Sequence, residues 1–297
     1  MKTVTIVTGI FLMMFTHQEL QAQQQMENTM SQYFRNRMLW NPAFTGADGN
    51  KFYALQNRSW VGFDGAPVMT NISGELTFGK NSAGGLQIIS DVTGALYRTY
   101  GLFNYGYRIK LNEEQQLRLG ISLALSSDRL NYSQIGQAGA IDPVIAENMN
   151  QQVKYDGNFG LVYSYKKFTF GASFFRLGEN LNNSKQGNAN LAFMQIGGSM
   201  DIDFNDDGKL QLKPLLMFHF YKQTEAVADF GAQFSYNKSI NTMLLYQSTG
   251  NIRAGAGLQL KDKGEANFFY NTNTKIANSA SQQYELGIGI YLKGRKG

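Results

Sequence analysis

The sequence predicts an all-β chain that forms a transmembrane barrel of about fourteen antiparallel strands. Three observations lead to this prediction: apolar residues recur at every second position, short connections alternate with long ones, and charged residues are few. The last strand shows the alternation most clearly, because residues 284–292 place large apolar side chains at even positions only. A strand with one apolar and one polar face suits a barrel wall between lipid and a wet interior.

The composition excludes a helical membrane bundle and favours a barrel. Of the 297 residues, 43% are hydrophobic and 16% are charged, and the mean hydropathy is −0.31. Tyrosine, phenylalanine and glycine are abundant (16, 21 and 32) and proline is rare (4), which is typical of a barrel with a polar lumen. The absence of cysteine excludes disulfides and thiolate chemistry. The net charge of +5 is scattered along the chain, so no nucleic-acid partner is expected.

The first 22 residues have the layout of a secretory signal peptide. Lys2 precedes an apolar run over residues 4–15, and a polar stretch then ends in the small residue Ala22 before Gln23. A membrane anchor is the alternative, but the run is too short to span a bilayer comfortably. We therefore expect cleavage after Ala22 and export of the mature chain from the cytoplasm.

Residues 23–50 form a separate N-terminal segment because they do not alternate. The segment is rich in Gln and Asn, and we expect one short helix around residues 30–39, in a periplasmic or plug-like position below or inside the barrel. The barrel itself is assigned to residues 51–297. Its strands are expected near residues 51–60, 69–78, 84–91, 96–111, 115–126, 153–165, 168–176, 191–204, 209–221, 225–236, 239–247, 251–261, 265–272 and 282–293.

The connections provide a second test of the barrel. Every even-numbered connection is tight, whereas the long connections, 61–68, 127–152, 177–190 and 273–281, are all odd-numbered. Short turns at one end and long loops at the other are characteristic of outer-membrane barrels. A soluble β-sandwich also alternates, but its exposed face usually carries more charge.

No catalytic, cofactor or metal site is expected. The mature chain has one histidine, His219, which points inward, and no Gly-x-Ser-x-Gly nucleophile motif accompanies it. Residues 203–208 fit the first half of a calcium loop, but Pro214 occupies the position of the required bidentate acid. A lumenal histidine and a tight hairpin turn are the favoured interpretations.

The least generic residues lie between positions 41 and 94, and they carry a family resemblance. Asn-Pro-Ala-x-x-Gly, Arg-x-Trp-x-Gly-x-x-Gly-Ala-Pro-x-x-Thr and Asp-x-x-Gly follow one another along this stretch. The chain has Ser59 where many members of the family carry glutamine. The residues of these motifs are Asn41, Pro42, Gly46, Arg58, Trp60, Gly62, Gly65, Ala66, Pro67, Thr70, Asp91 and Gly94. Arg58 is expected to stack on Trp60 or to pair inside the lumen.

In these motifs the chain resembles the PorP/SprF family of the type IX secretion system in Bacteroidota. The resemblance implies a non-enzymatic barrel in the outer membrane of a Gram-negative bacterium, after cleavage of the signal peptide. It also implies binding or anchoring of a secreted protein of the adhesin or gliding type, through its C-terminal domain, or of a component of the secretion machinery. The motif residues would be structural or would contact the partner.

Three other hypotheses stay open at this point. The chain would be a passive outer-membrane porin or solute channel if its lumen is filled with water. It would be a barrel enzyme if His219 works with a serine or an aspartate. A soluble β-protein is the third alternative.

Overall fold

A computed structural model shows a closed antiparallel β-barrel, as the sequence predicts. The structure describes residues 31–131, 153–178, 193–204, 208–221, 225–261, 263–275 and 282–292. Each strand pairs with its neighbours in the chain, and the last strand pairs with the first, which closes the sheet. In these ranges no helix is both long and apolar enough to cross a membrane. The signal-peptide prediction for residues 1–22 concerns a part of the chain outside the described residues.

The barrel wall has fourteen strands in the described part of the chain, because two of the assigned strands continue one another. These two, β8 and β9, both pair with β10 in one continuous register on either side of Asp201. The strands are β1 (Lys51–Ser59), β2 (Val68–Phe78), β3 (Ser82–Thr93), β4 (Leu96–Lys110), β5 (Gln115–Leu130), β6 (Lys154–Tyr165), β7 (Phe168–Phe175), β8 (Phe193–Met200), β9 (Ile202–Asp203), β10 (Leu210–Tyr221), β11 (Val227–Tyr236), β12 (Ile240–Gln247), β13 (Asn251–Leu260), β14 (Gly264–Asn273) and β15 (Gln283–Tyr291).

The two faces of the strands differ as the alternation predicts. On β15, Ile288 is 48% exposed and faces outward, whereas Glu285 is fully buried and faces the lumen. On β5, Leu123 is 53% exposed and its neighbour Ser122 is buried. An outward apolar band around a polar interior is the arrangement that a bilayer requires of a barrel.

The two mouths of the barrel differ in their connections. At the mouth where β1 begins and β15 ends, hereafter the short-turn mouth, the described turns are short. In the β11–β12 hairpin both Asn237 and Lys238 have positive φ (51° and 54°), as a type I′ turn demands. The opposite mouth, hereafter the long-loop mouth, holds the loop 60–67. Most of the predicted long loops 127–152 and 177–190 lies outside the described residues.

Residues 31–50 lie inside the barrel and form what we call the plug. Instead of the single helix expected around residues 30–39, the plug has two 3-10 helices, Arg37–Leu39 and Pro42–Phe44, and Met30 lies outside the described residues. Asn41 explains the break, because it is extended and its side chain caps the second helix. Proline is favoured at the first helical position, which makes Pro42 a natural start.

The hydrophobic core lies between the plug and the inner wall. Trp40 and Phe44 pack tilted with ring centroids 4.8 Å apart, and the cluster continues onto wall residues of four strands, β6, β10, β12 and β14. The buried wall members are Val162, Leu215, Met217, Met243, Leu245 and Phe269. The lumen of this barrel is therefore partly apolar where it meets the plug.

Candidate functional site

Inward-facing glycines on four adjacent strands form a groove that receives residues 40–45 of the plug. On β4, β5 and β6, Gly106 lies opposite Gly120, and Gly120 lies opposite Gly160. A Cβ atom at Gly106 would lie 2.7 Å from the carbonyl oxygen of Thr45, and one at Gly120 would overlap the Pro42–Ala43 peptide. Gly171 on β7 lies under the Trp40 ring. Only glycine lets the plug backbone approach the wall this closely.

Asn41, the first residue of the Asn-Pro motif, joins the plug to the backbone of two wall strands. Its Nδ2 donates to the carbonyl oxygens of Leu161 (3.2 Å) on β6 and Ala172 (3.0 Å) on β7. Its Oδ1 accepts from the Ala43 N–H at 2.9 Å. The side chain is fully buried, so these bonds replace the water that it would otherwise hold.

Wall side chains satisfy the carbonyl groups of the same plug segment. Arg118 on β5 donates from Nε to the Ala43 oxygen (3.0 Å) and from Nη2 to the Thr45 oxygen (3.1 Å). Ser173 on β7 donates to the Trp40 oxygen at 2.8 Å. These groups hold the short helix Pro42–Phe44 against the wall.

Gly46 closes the Asn-Pro-x-x-x-Gly turn of the plug. It has φ +71°, and its N–H donates to Glu75 Oε2 on β2 at 2.6 Å. A Cβ atom there would overlap Ala83 on β3. Both the backbone angle and the space therefore require glycine at this position.

A buried ionic cluster fixes the plug near the short-turn mouth. Glu265 on β14 contacts Lys51 Nζ at 2.6 Å and Arg35 Nη1 at 3.2 Å, and all three side chains are at most 7% exposed. A second pair joins Arg37 to Asp48 within the plug (Nη2 to Oδ1, 2.6 Å). Burial alone would lower the pKa of Arg37, but the Asp48 carboxylate raises it above its usual value, so the guanidinium stays charged.

The start of the described plug is bound by a buried carboxylate. Glu285 on β15 accepts from the Ser31 N–H (3.2 and 3.1 Å) and from Gln32 Nε2. Gln32 Oε1 in turn accepts from Tyr53 on β1 at 2.7 Å. Wall residues therefore bind the plug at its start through hydrogen bonds to Glu285 and near the short-turn mouth through the ion pair with Glu265.

His219, the histidine weighed as a catalytic residue, lies buried against the plug. Its Nε2 is 2.7 Å from Asp229 Oδ2 and 3.2 Å from the hydroxyl of Tyr33, which donates to the same Asp229 oxygen at 2.6 Å. Arg253 adds a cation 3.7 Å from Asp229 Oδ1. This geometry ties Tyr33 of the plug to β10 and β11.

The Arg-x-Trp and Gly-Ala-Pro motifs form an ordered loop at the long-loop mouth. Trp60 leaves β1 with φ +52°, and its N–H donates to the Gln282 oxygen beside β15 at 2.9 Å. The Pro67 carbonyl accepts from the Ser59 N–H at 3.0 Å, which closes the loop between the first two strands. Gly62 (φ +100°) and Ala66 lie within it.

Two of the motif glycines meet at this mouth. The Gly65 carbonyl accepts from the Gly94 N–H at 2.9 Å, and a Cβ atom at Gly65 would lie 3.2 Å from the Gly94 Cα. Both glycines have positive φ, +72° and +55°. The Asp-x-x-Gly motif thus places Gly94 against the loop 60–67, while Asp91 accepts from the Thr93 hydroxyl at 3.3 Å within β3.

Arg58 differs from the expectation that it stacks on Trp60 or pairs inside the lumen. It faces outward from β1 and is exposed, and its side chain has no hydrogen bond, ion pair or ring contact among the described residues. The reason is the phase of β1, whose odd-numbered residues face the plug and whose even-numbered residues face lipid. Thr70, opposite Gln56 on β2, faces outward as well.

The motif residues therefore divide into two groups rather than meeting in one site. Asn41, Pro42 and Gly46 anchor the plug, and the remaining motif residues lie at or near the long-loop mouth. Sequence reasoning missed the wall partners, namely the glycine groove, Arg118, Glu265 and Glu285. In the sequence, the only signal for these wall partners was a charged residue or a glycine at a position predicted to face the lumen.

Replacing Asn41 by alanine is expected to lower the free energy of unfolding by about 1–3 kcal/mol, because buried carbonyls lose their donor. Urea unfolding of the reconstituted barrel measures this change. Asn112→Ala, in the exposed turn between β4 and β5, is the matched control and is expected to stay within about 0.5 kcal/mol. An Asn41→Ala barrel as stable as wild type would contradict the anchoring role.

Comparison with known proteins adds a family and a fold. The model of the family described as type IX secretion system membrane protein PorP/SprF matches residues 22–290. No curated protein matches the chain. Among solved structures, the toluene transporter TodX of Pseudomonas putida is similar at a TM-score of 0.52 and 10% identity, covering 86% of this chain and 92% of that one.

Two further structures are similar to the chain. A deletion mutant of TodX, described as a monoaromatic hydrocarbon channel, has a TM-score of 0.51 and 11% identity over the same shares of both chains. Omp33 of Acinetobacter baumannii has a TM-score of 0.48 and 5% identity, covering 82% of this chain and 97% of that one. At such identities the two TodX likenesses establish the barrel fold alone.

Proposed function

The chain belongs to the PorP/SprF family of type IX secretion system membrane proteins, and from this membership we propose that it binds a secreted protein or a component of the machinery. The family and the barrel fold support an outer-membrane location. By the usual arrangement of such barrels, the short-turn mouth faces the periplasm and the long-loop mouth faces outward. The proposed partner is a type IX substrate that docks through its C-terminal signal domain.

The plug is the observation that carries this proposal. Residues 31–50 lie inside the lumen, and buried bonds from Asn41, Arg118, Glu265 and Glu285 hold them there. A plug held inside the lumen favours binding at a mouth over passage of solutes. Function then depends on the surface that the mouths present.

The loop 60–67 is the docking surface that we propose. Val61 and Phe63 are 43% and 51% exposed, although the loop backbone is bonded to Gln282 and, through Gly65, to Gly94. A rigid backbone that presents apolar side chains loses little entropy when a partner covers them. Apolar residues exposed together at a mouth are typical of an interaction site.

Changing Val61 and Phe63 to serine together is expected to abolish most capture of the secreted partner, since the apolar contact is lost. Affinity purification from native outer membranes in mild detergent, followed by mass spectrometry, measures the captured protein. The matched control is Leu111→Ser with Phe204→Ser, which removes two similarly exposed side chains at the short-turn mouth (53% and 58%). Equal capture by both double variants would exclude the loop 60–67 as the docking surface.

We also propose that the chain is not an enzyme. The support is that His219 is buried and that its Nε2 is occupied by Asp229 and by Tyr33 of the plug. A hydrolytic activity that disappears in His219→Ala would contradict this proposal.

A passive channel is the second candidate function, favoured by the likeness to barrels named as a transporter and a channel. The ligands in the names of those barrels, toluene and monoaromatic hydrocarbons, would suggest a small apolar solute. Stable solute-selective conductance of the wild-type barrel in planar bilayers would support this candidate, and a silent barrel would count against it.

A further inference from the structure

The outward face of the described strands carries two charged side chains, Arg58 on β1 and Arg129 on β5. Each is exposed and lies one residue before the long-loop end of its strand. Phe52 (40% exposed) has the same parity as Arg58, and Ile121 (57% exposed) the same as Arg129, so both arginines face outward. Neither guanidinium has a hydrogen bond or ion pair with another residue in the described part of the chain.

A row of uncharged polar side chains runs across the same outward face, one row nearer the middle of the barrel than the two arginines. Each member lies directly opposite the next on the neighbouring strand, from β1 to β5. The row consists of Gln56, Thr70, Ser90, Thr99 and Ser127. Within the described residues these side chains also lack hydrogen-bond partners. Polar groups against acyl chains are costly, so this row indicates contact with something that can bond them.

The rows on either side define where this polar band lies. The next row toward the middle of the barrel is apolar and suits acyl chains: Ala54, Ile72, Ile88, Gly101 and Leu125. The row on the other side consists of Arg58, Val68, Val92, Tyr97 and Arg129, so the two arginines lie at its ends, four strand spacings or about 19 Å apart, with two valines and a tyrosine between them. The band therefore lies where hydrocarbon gives way to headgroups at the long-loop mouth.

We propose that this band, hereafter the polar shelf, binds the phosphorylated sugar headgroup of a glycolipid in the outer leaflet. The shelf comprises Gln56, Arg58, Thr70, Ser90, Thr99, Ser127 and Arg129. A guanidinium binds phosphate with two parallel N–H donors, which suits Arg58 and Arg129. Amide and hydroxyl groups donate to and accept from sugar hydroxyls. The site lies on the outer wall and is independent of the proposed docking at the mouth.

The test measures the affinity of the full-length barrel in detergent for three lipids. The probes are lipopolysaccharide from the same outer membranes, the same lipid after dephosphorylation, and phosphatidylglycerol. Arg58→Gln with Arg129→Gln removes both guanidinium groups. The matched control, Lys80→Gln with Lys263→Gln, removes two exposed cations at the short-turn mouth.

Wild type is expected to bind lipopolysaccharide more tightly than either other lipid. The arginine double variant is expected to lose roughly tenfold in affinity for each arginine removed, while the lysine variant is unchanged. Equal affinity of wild type and the arginine variant would overturn the proposal, as would equal binding of lipopolysaccharide and phosphatidylglycerol by wild type.

A second variant keeps the test decisive if the first fails to insert. Arg58→Lys with Arg129→Lys retains the charge and removes the two-donor geometry, so an intermediate affinity is expected. Affinity equal to that of wild type would contradict the role of the guanidinium groups. Heat-modifiable migration on gels verifies that each variant is folded.

Discussion

Replacing Gly120 by valine is expected to expel the plug and to turn a silent barrel into a conducting one. The new side chain would occupy the space of the Pro42–Ala43 peptide, whose backbone atoms cannot move aside as the end of a flexible side chain could. The substitution should not disrupt β5 itself, because valine has a high propensity for β-strands. Planar-bilayer recording should show large, stable conductance steps that wild type lacks.

Gly101→Val is the matched control for this experiment. Gly101 faces outward from β4 and has open space where a Cβ atom would lie, so the plug should stay in place and the barrel silent. If Gly120→Val inserts normally and conducts no more than Gly101→Val, then the glycine groove does not hold the plug.

Replacing Glu265 by alanine is expected to lower the free energy of unfolding by about 3–5 kcal/mol, because Lys51 and Arg35 remain buried without their counter-charge. Urea unfolding in lipid vesicles, followed by tryptophan fluorescence, measures the change. Trp40 lies in the plug and Trp60 at the long-loop mouth. When one tryptophan is replaced, the fluorescence of the other reports on its own region alone.

Glu114→Ala is the matched control for the buried cluster. Glu114 pairs with Lys166 at 3.4 Å, but both side chains are more than half exposed, so its loss should cost at most about 1 kcal/mol. If the two variants lose similar free energies of unfolding, then burial does not make the Glu265 cluster more important for stability than an exposed ion pair.

The strands were predictable because their signal is local. Alternation with period two and turn residues lie within about ten residues of one another, and all the predicted strands appear in the structure within a few residues of their expected bounds. The long-loop and short-turn mouths followed from the same local pattern. That the N-terminal segment is not a barrel strand was also predictable, since it lacks alternation, but the sequence left open whether it lies below the barrel or inside it.

The plug contacts were not predictable because they join residues far apart in sequence. Asn41 bonds to Leu161 and Ala172, and Ser31 to Glu285. Nothing in one sequence fixes which inward glycine lies beneath which plug residue. Closure of the sheet and its register determine these pairs.

Arg58 shows why the inward and outward faces of a strand that packs against the plug are hard to predict from sequence. On β1 the inward residues Tyr53 and Leu55 are apolar because they pack against the plug, and the outward residues Gln56 and Arg58 are polar. The usual assignment of apolar residues to lipid fails for such a strand. Only pairing with β2 and β15 determines its faces.

Affinity purification of the tagged protein from native outer membranes, with identification of captured proteins, tests the central claim most directly. The account predicts that wild type captures a secreted protein with a type IX C-terminal signal domain or a machinery component, and that Val61→Ser with Phe63→Ser loses it. A wild-type barrel that captures neither, while conducting a solute in bilayers, would contradict the claim that this barrel functions by binding.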